Sequence, residues 1–206
     1  MTPTRRGPWQ VTGTREVYRN PWMRVREDAV LRPNGSPGIY GVVEFVPAVG
    51  VVALTPDERV YLVGQYRYTV EEYSWEIITG YSTPGEDLRL GAARELQEEA
   101  GLTAARWTPL GRCHISNSVT DQIGYLFLAQ DLQTGAPAPD ETEELALTTV
   151  PLDEALRRAQ ESEIVQAFSL VGLYRAWHHL RRPSGGGTPG GPRGGEAPTD
   201  GPASII

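Results

Sequence analysis

The sequence predicts a globular α/β protein, and three observations carry that reading. The first half is built of β-branched and aromatic runs separated by turn-forming clusters, the apolar spacing becomes helical from Glu86 onward, and 39% of the 206 residues are hydrophobic. A chain of that length and composition can bury a sizeable core. No run approaches the roughly 18 consecutive apolar residues of a membrane helix, and Met1–Gln10 is polar and Pro-containing rather than charged and then apolar, as a secretory leader would be. No membrane association is expected. The single Cys113 can form no internal disulfide and supplies no thiolate cluster for zinc, which fits a reducing cytoplasm. With 26 acidic against 19 basic residues the net charge is −7, so no nucleic-acid partner is expected. A phosphate-bearing ligand would have to be handled through metal ions.

The elements follow in order. Strands are expected at Glu16–Tyr18, Met23–Leu31, Tyr40–Val46, Gly50–Leu54 and Arg59–Tyr68, separated by turns such as Pro33-Asn34-Gly35 and Thr55-Pro56-Asp57. Leu88, Ala92, Leu96 and Ala100 then fall at helical spacing, with turn and helix-start residues at Ser82–Glu86 and Gly101 where a C-terminal cap belongs. The first helix is therefore placed at Asp87–Ala100. Strands near Ala105–Cys113 and Gly124–Leu128, a polar loop from Thr134 to Glu144, a short strand near Leu145–Val150 and two helices complete the order. The second of these helices is expected to open near Ser162 and to pack a stripe of Ile164, Phe168, Val171, Tyr174 and Trp177. Residues 183–206 hold 8 of the 23 glycines and 5 of the 17 prolines and are read as a disordered tail. The domain division is then 1–46 for a β-rich N-terminal part, 47–182 for the main domain, and 183–206 for the tail.

The informative string is Gly80-x5-Glu86-x7-Arg94-Glu95-Leu96-x-Glu98-Glu99-x-Gly101-Leu102. At about 100° per residue, Glu99 lies roughly 40° and Glu98 roughly 60° from Glu95 around the helix axis. Three carboxylates thus share one face in the last turns, where both like-charge repulsion and the helix dipole oppose them. A divalent cation reverses both terms, and hard oxygen donors without nearby Cys or His point to Mg²⁺ or Mn²⁺. The competing reading of Glu-x-x-Glu-Glu is a solvated acidic face with an Arg94–Glu98 ion pair. Against it, the whole string has a chance of coincidence on the order of 10⁻⁹ at a given start from average residue usage.

These residues match at every defined position the signature of the Nudix hydrolases, and the stretches Gln65-Tyr66-Arg67-Tyr68 and Trp75-Glu76-Ile77-Ile78-Thr79-Gly80 resemble the flank that ADP-ribose pyrophosphatases carry. The resemblance implies an α/β/α sandwich around a mixed sheet, with an N-terminal antiparallel β subdomain that helps form a homodimer. Trp9, Tyr18, Trp22 and Met23 offer that subdomain more apolar surface than a small sheet buries alone. It further implies Glu95 and Glu99 as metal ligands, Glu98 assisting, the Thr79 carbonyl adding a ligand, and Glu86 and Arg94 holding loop and helix in register. Arg67 and Glu76 would line the nucleotide site. The loop Pro139–Glu144 resembles the segment that supplies a catalytic Glu, with Glu141 first choice as base and Glu143 second or an added metal ligand; Glu98 is the fallback. An ordinary solvated acidic loop is the other reading of that segment. His114 at a strand end reads as a structural hydrogen-bonder, and His178 and His179 as helix-end cations. Three departures from the relatives stand out: Ile78-Thr79 before Gly80, the Ser116–Asp121 segment, which resembles a less characterised branch, and Gln122 where an acid frequently follows Asp121. The implied activity is Mg²⁺-dependent hydrolysis of a nucleoside diphosphate sugar, ADP-ribose first, to AMP and ribose 5-phosphate. A UDP- or GDP-sugar, or a nucleotide-sensing module without hydrolysis, are the alternatives.

Overall fold

The computed structural model describes residues 3–136 and 144–182. The tail expected at 183–206 and the loop acids Glu141 and Glu143 lie outside the described residues. Strands β1 (Thr4–Arg6), β2 (Trp9–Arg19), β3 (Met23–Leu31) and β4 (Pro37–Phe45) pair in chain order as one antiparallel sheet. The Asn34-Gly35 turn closes β3 onto β4 because Gly35 adopts φ 81°, a conformation without side-chain penalty only for glycine. The strand expected at Glu16–Tyr18 is the end of the 11-residue β2, whose polar sequence hides it; cross-strand pairing holds it rather than an apolar face. Inside this sheet Arg26 hydrogen-bonds Asp28 and donates from Nε to Glu44 at 2.7 Å, while Thr14 Oγ1 donates to Asp28 at 2.7 Å. Of the four apolar residues singled out for dimerisation, Trp22 is 68% exposed and Tyr18 is exposed as well, whereas Trp9 meets Tyr40 edge-on at 5.5 Å and Met23 is half-buried.

The rest of the chain forms β5 (Ala48–Ala53), β6 (Arg59–Arg67), β7 (Glu72–Glu76), β8 (Ile78–Tyr81), α1 (Leu88–Ala100), β9 (Leu102–His114), β10 (Ile123–Thr134), β11 (Ala146–Pro151), α2 (Leu152–Gln160) and α3 (Ala167–Leu180). One sheet runs β8-β5-β10-β9 and is mixed, since β5 and β10 are parallel and the other pairs antiparallel. A second, antiparallel, runs β11-β6-β7. Alternation along β5 explains the layers. Val49, Val51 and Ala53 join Ala92, Leu96 and Ala100 of α1 in one core. Ala48, Val52 and Leu54 join Leu156 of α2 with Phe168, Leu173 and Ala176 of α3 in the other. Both faces are covered, so every residue of β5 is buried and the strand reads as a continuous apolar run. The result is the α/β/α sandwich.

Three expectations need correction. Strands β7 and β8 were not foreseen: at five and four residues they are too short to show a period. Helix α3 begins at Ala167 rather than near Ser162, which sits at φ 62° in the turn after α2; Gln166 caps α3 by accepting from Ser169 N at 2.6 Å. The packed stripe is also displaced. Phe168 is buried, but Tyr174 and Trp177 are exposed, and the inward face is Phe168, Ser169, Gly172, Leu173 and Ala176. Gly172 makes the difference, because a Cβ there would lie 2.8 Å from Ile77 Cδ1 and 3.2 Å from Leu126 Cδ2. The helix approaches the sheet over small residues, and Trp177 instead donates to Asp153 at 3.2 Å under the Arg181 guanidinium.

The segment between β9 and β10 straps the N-terminal sheet to the body. Val43 N donates to Val119 O at 2.9 Å, Asp121 N to Val43 O at 3.3 Å, and Phe45 N to the Asp121 carboxylate at 3.1 Å. Among the described residues no helix is long and apolar enough to cross a membrane.

Candidate active site

Helix α1 is fixed at both ends by its own sequence. The Asp87 side chain accepts from Arg89 N at 3.0 Å and Leu90 N at 3.1 Å, and Gly101 closes the C-terminus at φ 65° with its N–H on Gln97 and Leu96 carbonyls. The preceding turn is tied by Glu86, which accepts from the Thr83 amide and hydroxyl, both at 2.8 Å. Arg94 joins this turn to the helix: it donates to the Tyr81 carbonyl at 2.7 Å, to Glu95 at 2.8 Å and to Glu98 at 2.9 Å, and approaches Glu86 at 3.5 Å. Burial opposes the charge on Arg94, but the surrounding carboxylates outweigh it and hold the guanidinium above its usual range.

The three glutamates of the box do not behave alike. Glu99 is 7% exposed and accepts from Thr79 N at 3.4 Å; Glu95 is largely buried and accepts from Tyr81 N at 3.2 Å. Both therefore seat on the backbone of β8. A Cβ at Gly80 would overlap the Glu95 carboxyl group, so glycine there is what lets the helix acid reach the strand. Burial pushes the Glu95 carboxyl up, Arg94 opposes that, and the like charge of Glu98 adds to it. Glu98 points outward into its ion pair with Arg94, so the solvated i,i+4 pair and the buried acids coexist on one helix. Among the described residues no three Asp, Glu, His or Cys side chains converge closely enough to enclose a metal ion as they stand. The donor chemistry nevertheless suits a hard divalent cation: carboxylate and carbonyl oxygens only, with two acids held against β8 at a glycine.

A cleft of about 480 Å³ opens beside these residues. Arg67 and Glu76 line it as a fork, Nε to Oε1 at 2.9 Å and Nη2 to Oε2 at 2.5 Å, with Glu76 1% exposed. The Glu76 carboxylate holds Arg67 above its usual range despite burial. Thr79, Gly80 and Tyr81 form the wall shared with the box. The structure thus brings Arg67, Glu76, Thr79, Glu95 and Glu99 to one region, and leaves Glu98 on its rim. Glu141 and Glu143 lie outside the described residues. His114 is exposed at the end of β9, and His178 and His179 occupy the last turn of α3. Sequence reasoning missed Ser74 and Phe168 as cleft residues: Ser74 sits on the unforeseen β7, and Phe168 was assigned to the core, which it also serves.

Comparison with known proteins gives the family and the fold. A family model for the NUDIX domain matches residues 44–168, and one for the nucleoside diphosphate sugar hydrolase N-terminal domain matches residues 9–43. The chain is 34% identical over 152 residues to an ADP-ribose pyrophosphatase of Mycobacterium tuberculosis, covering 72% of this chain and 73% of that protein. It is 33% identical over 143 residues to an ADP-ribose pyrophosphatase of Bacillus subtilis (68% and 77%), and 31% over 162 residues to a methanol dehydrogenase activator of Bacillus methanolicus (78% and 88%). The crystal structure of an ADP compounds hydrolase superposes with a TM-score of 0.75 over 87% of this chain and 95% of its own, at 24% identity, and shares the fold. The capped glutamate helix, the glycine that seats it on β8 and the match along most of the chain place this protein in the Nudix hydrolase family.

Proposed function

We propose that the protein is a divalent-metal-dependent nucleotide-sugar pyrophosphatase that hydrolyses ADP-ribose to AMP and ribose 5-phosphate. The observation that carries this reading is the pair of acids, buried Glu99 and largely buried Glu95, held on β8 beside a cleft lined by the Arg67–Glu76 fork. The names of the relatives support the choice of substrate. Glu95 and Glu99, with Glu98 and the Thr79 carbonyl, would hold Mg²⁺ or Mn²⁺, which when bound polarises a diphosphate and acidifies a water molecule. Arg67, kept charged by Glu76, presents a cation to the nucleotide. Glu141 takes the proton of the attacking water, and Glu143 is the second candidate for that task or an additional ligand.

In the same reading, residues 1–46 form the part that dimerises, 47–182 the hydrolase domain and 183–206 a tail without a catalytic part, in a cytoplasmic homodimer that binds no nucleic acid. Incubating the protein and Mg²⁺ with a panel of nucleoside diphosphate sugars and dinucleotides, products resolved by chromatography, tests the proposal. ADP-ribose should turn over fastest and yield AMP; no hydrolysis of any diphosphate would refute it.

A further inference from the structure

Three polar side chains in the cleft are at least nine-tenths buried: Glu76, Ser74 at 8% exposure and Gln122 at 9%. Glu76 is taken up by Arg67. Neither the Gln122 amide nor the Ser74 hydroxyl has a hydrogen-bond partner among the described residues, and neither is sealed from solvent. A buried amide without a protein partner costs free energy unless water or a ligand completes it. Both groups border the cleft, so water or a ligand in the cleft can complete them.

Backbone hydrogen bonds position Gln122, although its side chain has no hydrogen-bond partner among the described residues. On one side Asp121 donates to Val43 O and accepts from Phe45 N; on the other, the Gln122 carbonyl accepts from Ile115 N at 3.3 Å. Register gives its place: Gly124 pairs with Ala48, and Ala48 with Tyr81. Gln122 therefore sits at the same sheet end as the Thr79–Tyr81 wall but two strands across, about 10 Å at ordinary strand spacing. A diphosphate held at Glu95 and Glu99 would leave the adjoining group of the ligand near Gln122. Around it the wall offers aliphatic Ala48 and Ile115 and the buried ring of Phe168, while the exposed aromatic of the cleft, Tyr81, stands on β8, two strands across. A neutral amide with two donors and one acceptor, beside a hydroxyl, suits sugar hydroxyls, which both donate and accept.

We infer that Gln122 is a specificity-determining residue whose side-chain amide hydrogen-bonds the hydroxyls of the sugar on the ligand's distal phosphate. This rests on the cleft being the nucleotide-sugar site proposed above. The test compares wild type with Gln122→Ala on ADP-ribose, on an ethyl ester of ADP that has no distal sugar, and on ADP-glucose against UDP-glucose, with thermal melting as the control for folding. Loss of one neutral hydrogen bond should lower kcat/KM for ADP-ribose roughly five- to tenfold and leave the ethyl ester unchanged, with melting unaltered. A parallel fall on both, no fall on either, or a changed ADP-glucose to UDP-glucose ratio would overturn the assignment. Wild-type protein inactive on every substrate would instead bring down the proposed function, and this inference with it.

Discussion

Strand β5 of the layered body and strand β3 of the N-terminal sheet are both interior strands, yet they are held differently. All six residues of β5 are buried and apolar, facing helices on either side. In β3 the buried residues are Arg26, Asp28 and Val30, and the neighbouring Arg24 pairs with Glu16 at 2.8 Å and Glu44 at 3.0 Å. A sheet enclosed by two helix layers draws its stability from apolar burial, which pH scarcely touches. A sheet without such layers relies on strand pairing and on ion pairs that fail when their carboxylates are protonated. The lesson is that β5 is held by apolar burial, whereas the interior of β3 is held by ion pairs that weaken when their carboxylates are protonated.

The largest effect should come from the body's acids. Glu99→Gln removes a charge while keeping shape, and should cut kcat by on the order of 10²–10³, the several kcal/mol a metal-held charge supplies, with a melting temperature close to wild type. Exhaustive chelation should abolish turnover of the unaltered protein in the same assay. Wild-type rates in either case would break the link between the buried acids and catalysis.

Next come the packed layers. Leu128→Ala deletes a fully buried side chain from the core under α2 and α3 and should destabilise by roughly 2–5 kcal/mol in denaturant melts. Gly80→Ala provides the contrast. The added methyl meets the end of a flexible Glu95 side chain, so stability should change by less than about 1 kcal/mol while activity falls sharply, because the carboxylate must leave β8. Equal stability losses in both variants would contradict this separation.

A smaller effect is expected at Asp28. Burial opposes its ionisation, but hydrogen bonds from Arg26 and Thr14 outweigh burial and hold the carboxyl below its ordinary 3.8. Its contribution to stability is therefore complete above that ordinary value and is lost as pH falls through and below it. Asp28→Asn should cost about 1–3 kcal/mol at neutral pH and flatten the acid limb of a stability–pH profile followed by tryptophan fluorescence. An unchanged acid limb would place the pH sensitivity elsewhere. Smallest in its effect on turnover is Trp22→Ser. It should weaken the proposed dimer, seen by light scattering as a shift toward 22.6 kDa, and alter monomer stability little because Trp22 is already exposed. A mass of 22.6 kDa for the unaltered protein at micromolar concentration would remove the dimer from the proposal.

Helix α1 was legible to within a residue because Asp87, Gly101 and the apolar spacing between them act locally. Strand β3 was read residue for residue for the same reason. The box itself was legible as a spacing, since helix geometry places Glu95, Glu98 and Glu99 on one side without reference to the rest of the fold. Where a strand is short, as at Glu72–Glu76 and Ile78–Tyr81, pairing with β6 and β5 makes it a strand, and no local pattern announces that. The inward face of α3 does not follow its bulky apolar residues, because Gly172 sets how closely the helix meets the sheet.

The sequence by itself determined the extent of α1, the longer strand runs such as β3 and the spacing of the acids proposed to carry the chemistry, because each depends on neighbours within a few residues. Only the tertiary structure decided which of those acids are buried, that Arg67 and Glu76 form one fork, and that Gln122 and Ser74 face a common cleft. Those relations join strands and a helix distant in sequence, and they are fixed by sheet register and by the close approach that Gly80 and Gly172 allow, quantities that no local pattern of residues encodes.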